Sequence, residues 1–338
     1  YSFHFHRLGF AELDQPAVAI GNAVFGSPGW GFVHHDSNAI FHNNVSYKTL
    51  GAGYAAETGN ETGAWTDNLA IFAEGGRNKH PKNGAVGPGT FNHGVTGVGF
   101  FFQGRHVRSA GNIAASVNTG YNFFHRGPTD KDNTDAKDGI LESLATHLPY
   151  PDLFARDVVN NSDIPILEFN DNEAFAVERG LWVTKANPIQ SHDMHTVMDG
   201  FRAWNVWHAG ASFQYTAHYV LKNFDLIAEQ DRTWPFKNTT GYGIQFGTNA
   251  MDMTAVNPRI EGFDRAAMHL SKGRAGESEP SEETLQLKSY VIVNPTFINN
   301  AADYKDFDPE YDTVLASSDL EPGRVQLALV DDMLTFSK

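Results

Sequence analysis

The chain has 338 residues, a formal charge of −15, 32 glycines and no cysteine. The acidic balance excludes a chain-wide basic footprint for nucleic acid, and the lack of cysteine excludes a disulfide framework and thiolate zinc ligation. With 12% aromatic and only 19% charged residues, the composition speaks for β-structure and against a coiled coil or helical solenoid.

Residues 1–9 alternate Phe3 and Phe5 with His4 and His6, so one face is apolar and the other polar. Short strands follow at 18–20, 23–25, 31–36, 39–41, 45–47 and 53–57, separated by Gly and Asn turns. Four spacings coincide: Asn22 to Asn44, Gly29 to Gly51, Gly31 to Gly53 and Phe32 to Tyr54 are each 22 residues. Asn68, with the apolar run Leu69-Ala70-Ile71-Phe72, brings the pattern round again. A period of this length with three short strands predicts an all-β solenoid, one parallel β-helix coil per repeat. Asn22, Asn44 and Asn68 are then expected to stack as a hydrogen-bonded ladder.

Residues 75–92 break the rhythm with Gly, Pro, Asn and Lys and read as a projecting loop. Strands resume at 95–102, and Asn112-Ile-Ala-Ala with Gly120-Tyr121 echoes the unit. Residues 128–139 form a polar excursion, 140–147 a short helix, and 152–161 an irregular or helical piece. Coils return from Ile164, and the 18 residues between Asn205 and Asn223 predict tighter turns. A third loop is expected at 271–283 and a closing strand or cap at 325–330. The whole reads as one solenoid domain over 1–338. Because it opens in strand pattern without a cap, we expect upstream coils or a further domain. No apolar run approaches the roughly 18 residues of a membrane-spanning helix.

The period also sets a register. If Phe3, Phe32 and Tyr54 point inward, alternation turns His6, His35 and Glu57 outward in one column at about 5 Å spacing. Two imidazoles and a carboxylate so placed can do acid/base work or bind a divalent metal. The same register puts His34 and Asp36 on the opposite face, with His34 in the core. Asp130, Asp132, Asp135 and Asp138 alternate in a way that suits a hard cation such as calcium, although the glycine and terminal acid of an EF-hand loop are missing. His192 and His195, with His208 and His218 downstream, read as loop-surface histidines. Among scarce cations, Arg7, Arg105, Arg108, Arg126 and Arg202 stand out as forked donors for a carboxylate. Trp30, Trp65, Trp204 and Trp207 are candidate exposed stacking platforms.

The segment His4-Phe-His6-Arg-Leu-Gly9 resembles the HFHxxG motif of the cell-migration-inducing and transmembrane hyaluronidases. His35-Asp36-Ser37-Asn38, Tyr47-Lys-Thr-Leu50-Gly51-Ala52 with Glu57-Thr58-Gly59, and Thr119-Gly120-Tyr121-Asn-Phe123-Phe124-His125 are similar, in order, to later segments of that family. The resemblance covers about residues 1–127. It implies a right-handed parallel β-helix, a secreted or cell-surface location, a calcium-linked activity and cleavage of hyaluronan or another acidic polysaccharide. On this reading His4, His6, His35 and Glu57 are catalytic, and Arg7, Trp30, His125 and Arg126 bind substrate. The family's G8 domain is not in this sequence. Ala52 and Thr58 stand where the family has His and Asp, which puts the chemistry in question. Hydrolysis by a carboxylate pair, β-elimination by an imidazole base, and a non-catalytic carbohydrate-binding or adhesion solenoid all stay open.

Overall fold

The structure is a computed structural model that describes residues 1–9, 14–75, 97–124, 142–147, 151–153, 157–161, 164–184, 194–214, 216–229, 241–247, 250–271, 289–300, 315–318, 326–330 and 335–337. Apart from Gly75 and Ser271, the three expected projecting loops lie outside these residues, as do His125, Arg126, Asp130, Asp132, Asp135, Asp138 and His192. Regular structure among the described residues is β-strand, with two 3-10 turns at Ala145–His147 and Pro151–Leu153. The chain is an all-β parallel solenoid, and it divides into two compact units, Tyr1–Asn172 and Glu173–Lys338.

In the first unit each coil supplies strands to three parallel ladders. One ladder stacks β1 (Phe3–Gly9), the first half of β4 (Phe32–His42), β6 (Tyr54–Ala56), β9 (Val98–Phe102) and β12 (Thr119–Phe124). A second stacks β2 (Ala17–Ile20), the second half of β4, β7 (Thr62–Thr66), β10 (Val107–Ala110) and β15 (Phe169–Asn170). The third stacks β3 (Ala23–Phe25), β5 (Val45–Tyr47), β8 (Leu69–Ile71) and β11 (Ile113–Ala115). One excursion, β13 (Glu142–Leu144) with β14 (Val158–Asn160), is antiparallel. Strand and 3-10 turn therefore replace the short helix expected at 140–147.

Phe32 pairs with Tyr54 as the 22-residue period predicts, and Phe3 pairs with Phe32 and His6 with His35 as a shared inward column of rings requires. Inside, the rings form a continuous pile. Phe32 lies 4.9 Å from Tyr54, Tyr54 4.8 Å from Phe100 and Phe100 5.0 Å from Tyr121, all near parallel. That separation is the strand spacing itself, so stacking follows from placing one ring at the same position of every coil. Each buried ring contributes about 1.5–3 kcal/mol from area alone.

The repeated glycines serve the corner before this ladder. A Cβ on Gly53 would meet Ala70 Cβ at 2.9 Å and the Gly99 carbonyl oxygen at 2.9 Å, so neighbouring backbones touch there. Gly51 leaves room for the Trp30 indole, which a Cβ would strike at 2.2 Å.

The asparagine ladder is longer than expected. Each Asn accepts at Oδ1 from the backbone N–H and Nδ2 of the Asn one coil earlier, running Asn22, Asn44, Asn68, Asn112, Asn172. Each Nδ2 from Asn44 onward also donates to a backbone carbonyl: Ala19, Phe41, Trp65 and Ser109 in turn, at 2.7–3.0 Å. Buried amides are thus paired at every turn, which is what makes the burial tolerable.

The second unit repeats the plan. One ladder carries β16 (Glu173–Thr184) and β18 (Arg202–Gln214), whose second halves continue into β21 (Tyr242–Phe246), β24 (Ala266–Ser271) and β27 (Leu315–Ser318). Their first halves continue through β20 (Asp225–Ala228), β23 (Arg259–Glu261), β26 (Thr296–Ile298) and β29 (Thr335–Ser337). The remaining ladder is β17 (Thr196–Asp199), β19 (Thr216–Lys222), β22 (Ala250–Val256), β25 (Ser289–Val293) and β28 (Gln326–Val330). Asn205 and Asn223 are not equivalent. Asn223 is bonded instead by Asn257, 34 residues on, so these coils are longer, not tighter. A left-handed Asn205 (φ 57°) inside the long strand β18 explains the misleading spacing.

Candidate functional site

The site sits on β1, β4 and the turn after β6. His4 and His6 project from β1, His35 from β4, and Glu57 follows Ala56, held by its N–H on the His34 carbonyl at 3.0 Å. The expected column His6–His35–Glu57 is present, and His4 joins it. The His6 and His35 ring centres are 4.7 Å apart, His4 and His6 4.8 Å, and His4 stacks parallel to His35 at 5.8 Å. Glu57 Oε1 accepts the Tyr1 hydroxyl at 2.8 Å. Its Oε2 faces His35 Nδ1 at 3.5 Å and His4 Nε2 at 3.8 Å. Those three facing atoms are buried and have no hydrogen-bond partner. Burial, reinforced by the neighbouring imidazoles, holds His4 below its ordinary value of 6.5 although Glu57 pulls it up. Burial and the Glu57 carboxylate push the Tyr1 phenol far up.

Asp36 departs from the expected alternation. Its left-handed backbone (φ 44°) brings the carboxylate round to His35 Nε2 at 3.2 Å instead of facing it away. In the adjacent coil Arg7 is left-handed as well (φ 53°), where the β1–β4 register slips between His6 and Gly9. Arg7 Nε stands 3.5 Å from Asp36 Oδ2, and its side chain is 69% exposed. His35 therefore lies between two carboxylates, with one exposed guanidinium at the rim.

Beneath lies a residue that the sequence reading missed. Glu61 is buried, and its carboxylate accepts the backbone N–H groups of Thr58 and Gly59 at 2.7 Å and of Asp36 at 3.2 Å. It ties the turn that carries Glu57 to the distorted backbone of Asp36. Burial pushes the Glu61 carboxyl up to about 7, with the amides of Gly59, Thr58, Asp36 and Glu61 itself pulling the other way. A short Glu-Thr-Gly-Asn-Glu turn was the signal on offer, but nothing in it tells an anchoring acid from a solvated one. His34 behaves as expected: it is fully buried, with Nε2 2.6 Å from the Ser37 carbonyl oxygen, and burial lowers it to about 4.

Other candidates change role. Trp30 is only 5% exposed and closes an apolar cluster over Val33, Ala52, Ala55 and Phe101. It is a cover for the outer face, not a sugar platform; Tyr1, stacked on it at 5.1 Å, is the exposed ring. Ala52 belongs to the same cluster. Trp65 is fully buried among the core rings. Trp204 stacks on Phe175 and donates to Glu173. Arg105 is buried and donates to the Ile164 carbonyl, so it serves packing. Arg202 sits in the second unit beside Asp225.

The donor set of His4, His6 and His35, whose nitrogens lie within 4.8 Å of one another, suits a borderline cation such as zinc. It does not suit calcium, a hard ion that takes oxygen ligands. No protein-family model matches the chain, and the comparison with curated proteins gave no match.

Proposed function

We propose that the first unit is an enzyme that cleaves an acidic, uronic-acid-containing polysaccharide outside the cell, with β1, β4 and the Glu57 turn as its active face. The observation that carries this reading is the convergence of His4 Nε2, His35 Nδ1 and Glu57 Oε2, buried and without a hydrogen bond, beside an exposed Arg7. The resemblance of residues 1–127 to the hyaluronidase family supports the same substrate class, and nothing in the chemistry restricts it to hyaluronan.

In this reading the chain binds a uronate so that the Arg7 guanidinium meets the sugar carboxylate. Neutralising that charge acidifies the adjacent C5–H. A neutral imidazole then takes the C5 proton, the C4–O glycosidic bond breaks as the C4=C5 double bond forms, and the departing oxygen takes a proton from water. His4, held below its ordinary value, is in the correct state at neutral pH. Glu57 orients His35 and His4 and offsets the imidazolium that forms. Calcium, implied by the resemblance, has no place among these donors, and the acidic residues Asp130 to Asp138 lie outside the described residues. Among the described residues no helix is long and apolar enough to cross a membrane.

The test is digestion of hyaluronan, polygalacturonate and alginate, followed by both reducing ends and the ultraviolet absorbance of an unsaturated uronide. Both signals are expected, and both are lost in His35→Ala and Glu57→Gln variants with unchanged circular dichroism. Reducing ends without absorbance replace elimination by hydrolysis. Binding without chain shortening would refute cleavage and leave a carbohydrate-binding solenoid.

A further inference from the structure

The second unit holds a separate cluster that the proposed cleavage does not use. His195 immediately precedes β17, His218 lies in β19 and Asp252 in β22, three successive strands of one ladder. Thr196 pairs with Tyr219, and the pairs Ala217–Met251 and Tyr219–Met253 bracket His218 and Asp252. The three residues therefore occupy one rung position in consecutive coils.

Their geometry converges on a point. Asp252 Oδ2 lies 2.8 Å from His195 Nε2 and 2.6 Å from His218 Nδ1. The two imidazoles are nearly perpendicular, at 81°, with centres 5.4 Å apart. All three donor atoms fall within 4.8 Å of one another. Donors held about 2.0–2.2 Å from one divalent ion are themselves about 3 Å apart, so little adjustment separates this arrangement from a coordination sphere.

The backbone is bent to make the cluster. His218 (φ 62°) and Asp252 (φ 50°) are both left-handed, at matched positions of adjacent coils. Such a conformation is strained for an L-residue, and no glycine relieves it here. Without the bend, alternation would send these side chains elsewhere. Exposure is graded as well: His218 is 6% exposed, Asp252 24% and His195 39%. The cluster is rooted in the wall and open on one side.

We propose that His195, His218 and Asp252 form a binding site for a divalent transition ion of the zinc class. Two imidazole nitrogens and one carboxylate oxygen are the ligands of borderline ions and not of calcium or magnesium. Three protein ligands leave at least one position for water or another small oxygen ligand, as in catalytic sites, where structural zinc takes four.

The experiment uses the full chain, stripped with a chelator and titrated with Zn²⁺ by calorimetry and with Co²⁺ by visible absorbance. Because His4, His6 and His35 are also potential ligands, the titrations are repeated in a His6→Ala/His35→Ala background. In that background one equivalent is expected to bind, with Co²⁺ bands characteristic of mixed nitrogen and oxygen ligation and no competition from excess Ca²⁺. Asp252→Asn and His195→Gln are each expected to weaken binding at least tenfold. His195 is the most exposed ligand, so its variant keeps the test valid if substitutions at His218 or Asp252 impair folding. Absence of binding in that background, or binding unchanged in both variants, overturns the proposal and leaves a metal-free hydrogen-bonded triad.

Discussion

Replacing Glu61 by Gln isolates the acid that holds the turn carrying Glu57. Burial moves this carboxyl from 4.5 to about 7. At about 1.4 kcal/mol per pH unit, the folded protein favours the protonated acid by roughly 3 kcal/mol. The folded value is raised, so this contribution is fully present below the unfolded value of 4.5 and is lost as pH rises through about 7. Gln has no such titration. Its amide oxygen can still accept from Asp36 and Thr58, while its NH₂ meets the Gly59 N–H, a pH-independent cost of about 1–3 kcal/mol. Urea unfolding of both proteins at a series of pH values gives the difference in stability, and subtraction removes the histidines common to both. The wild-type advantage should shrink by about 3 kcal/mol between pH 4.5 and pH 7. A flat difference over that window would show that the backbone amides keep Glu61 ionised and that the burial argument is wrong.

Other perturbations probe the coil. His34, lowered from 6.5 to about 4, contributes stability present above 6.5 and lost as pH falls through about 4. A His34→Gln protein should therefore lack about 3 kcal/mol of the wild-type loss between those pH values, read by the same unfolding series. Asn68→Ala removes the acceptor of the Asn44 N–H and the donor to the Phe41 carbonyl. A loss of about 2–4 kcal/mol in urea unfolding is expected, and a loss under 1 kcal/mol would mean the ladder is ornamental. Gly63→Ala places a Cβ 2.0 Å from the Ala39 carbonyl oxygen at φ 110°, a region closed to alanine. About 3 kcal/mol or more should be lost, since the nearest atoms are backbone and cannot swing away; a near-neutral melting temperature would show that the coils separate freely there.

Much of the fold could be read in the chain because a solenoid writes its contacts as a period. Phe32 and Tyr54 stack because they are equivalent, and equivalence is what the spacing reports. The same holds for Asn22, Asn44 and Asn68, while His6 above His35 follows from placing Phe3 in the column of Phe32. The reading failed where strict alternation failed. Asp36 was assigned away from His35 because side chains of a regular strand alternate; its left-handed backbone cancels that rule. Trp30 reads as exposed in the sequence because sequence gives no account of what a flat outer face carries on top of it. Asn205 suggested a short coil because it imitates a turn residue while lying inside a long strand. Glu61 and the pairing of His195 with Asp252 depend on which coil meets which across 25 residues or more, and beyond Asn172 the coil length changes from one turn to the next.

These failures share a physical cause that bears on function. A regular β-helix stacks like on like, which suits rings, methyl groups and asparagine amides, each of which satisfies its own copy. It is a poor way to build a site, because catalysis and metal binding need unlike groups pointing at one place. Left-handed residues at matched positions solve this. At Arg7 and Asp36 they turn the Asp36 carboxylate toward His35 and bring the Arg7 guanidinium against that carboxylate. At His218 and Asp252 they bring an imidazole and a carboxylate together within one ladder. Each such residue costs about 1–2 kcal/mol, comparable to the burial of one core ring, so the coil tolerates only a few. Non-glycine residues with positive φ, paired across adjacent coils and carrying ionisable side chains, are thus the places in this fold where unlike groups are brought face to face.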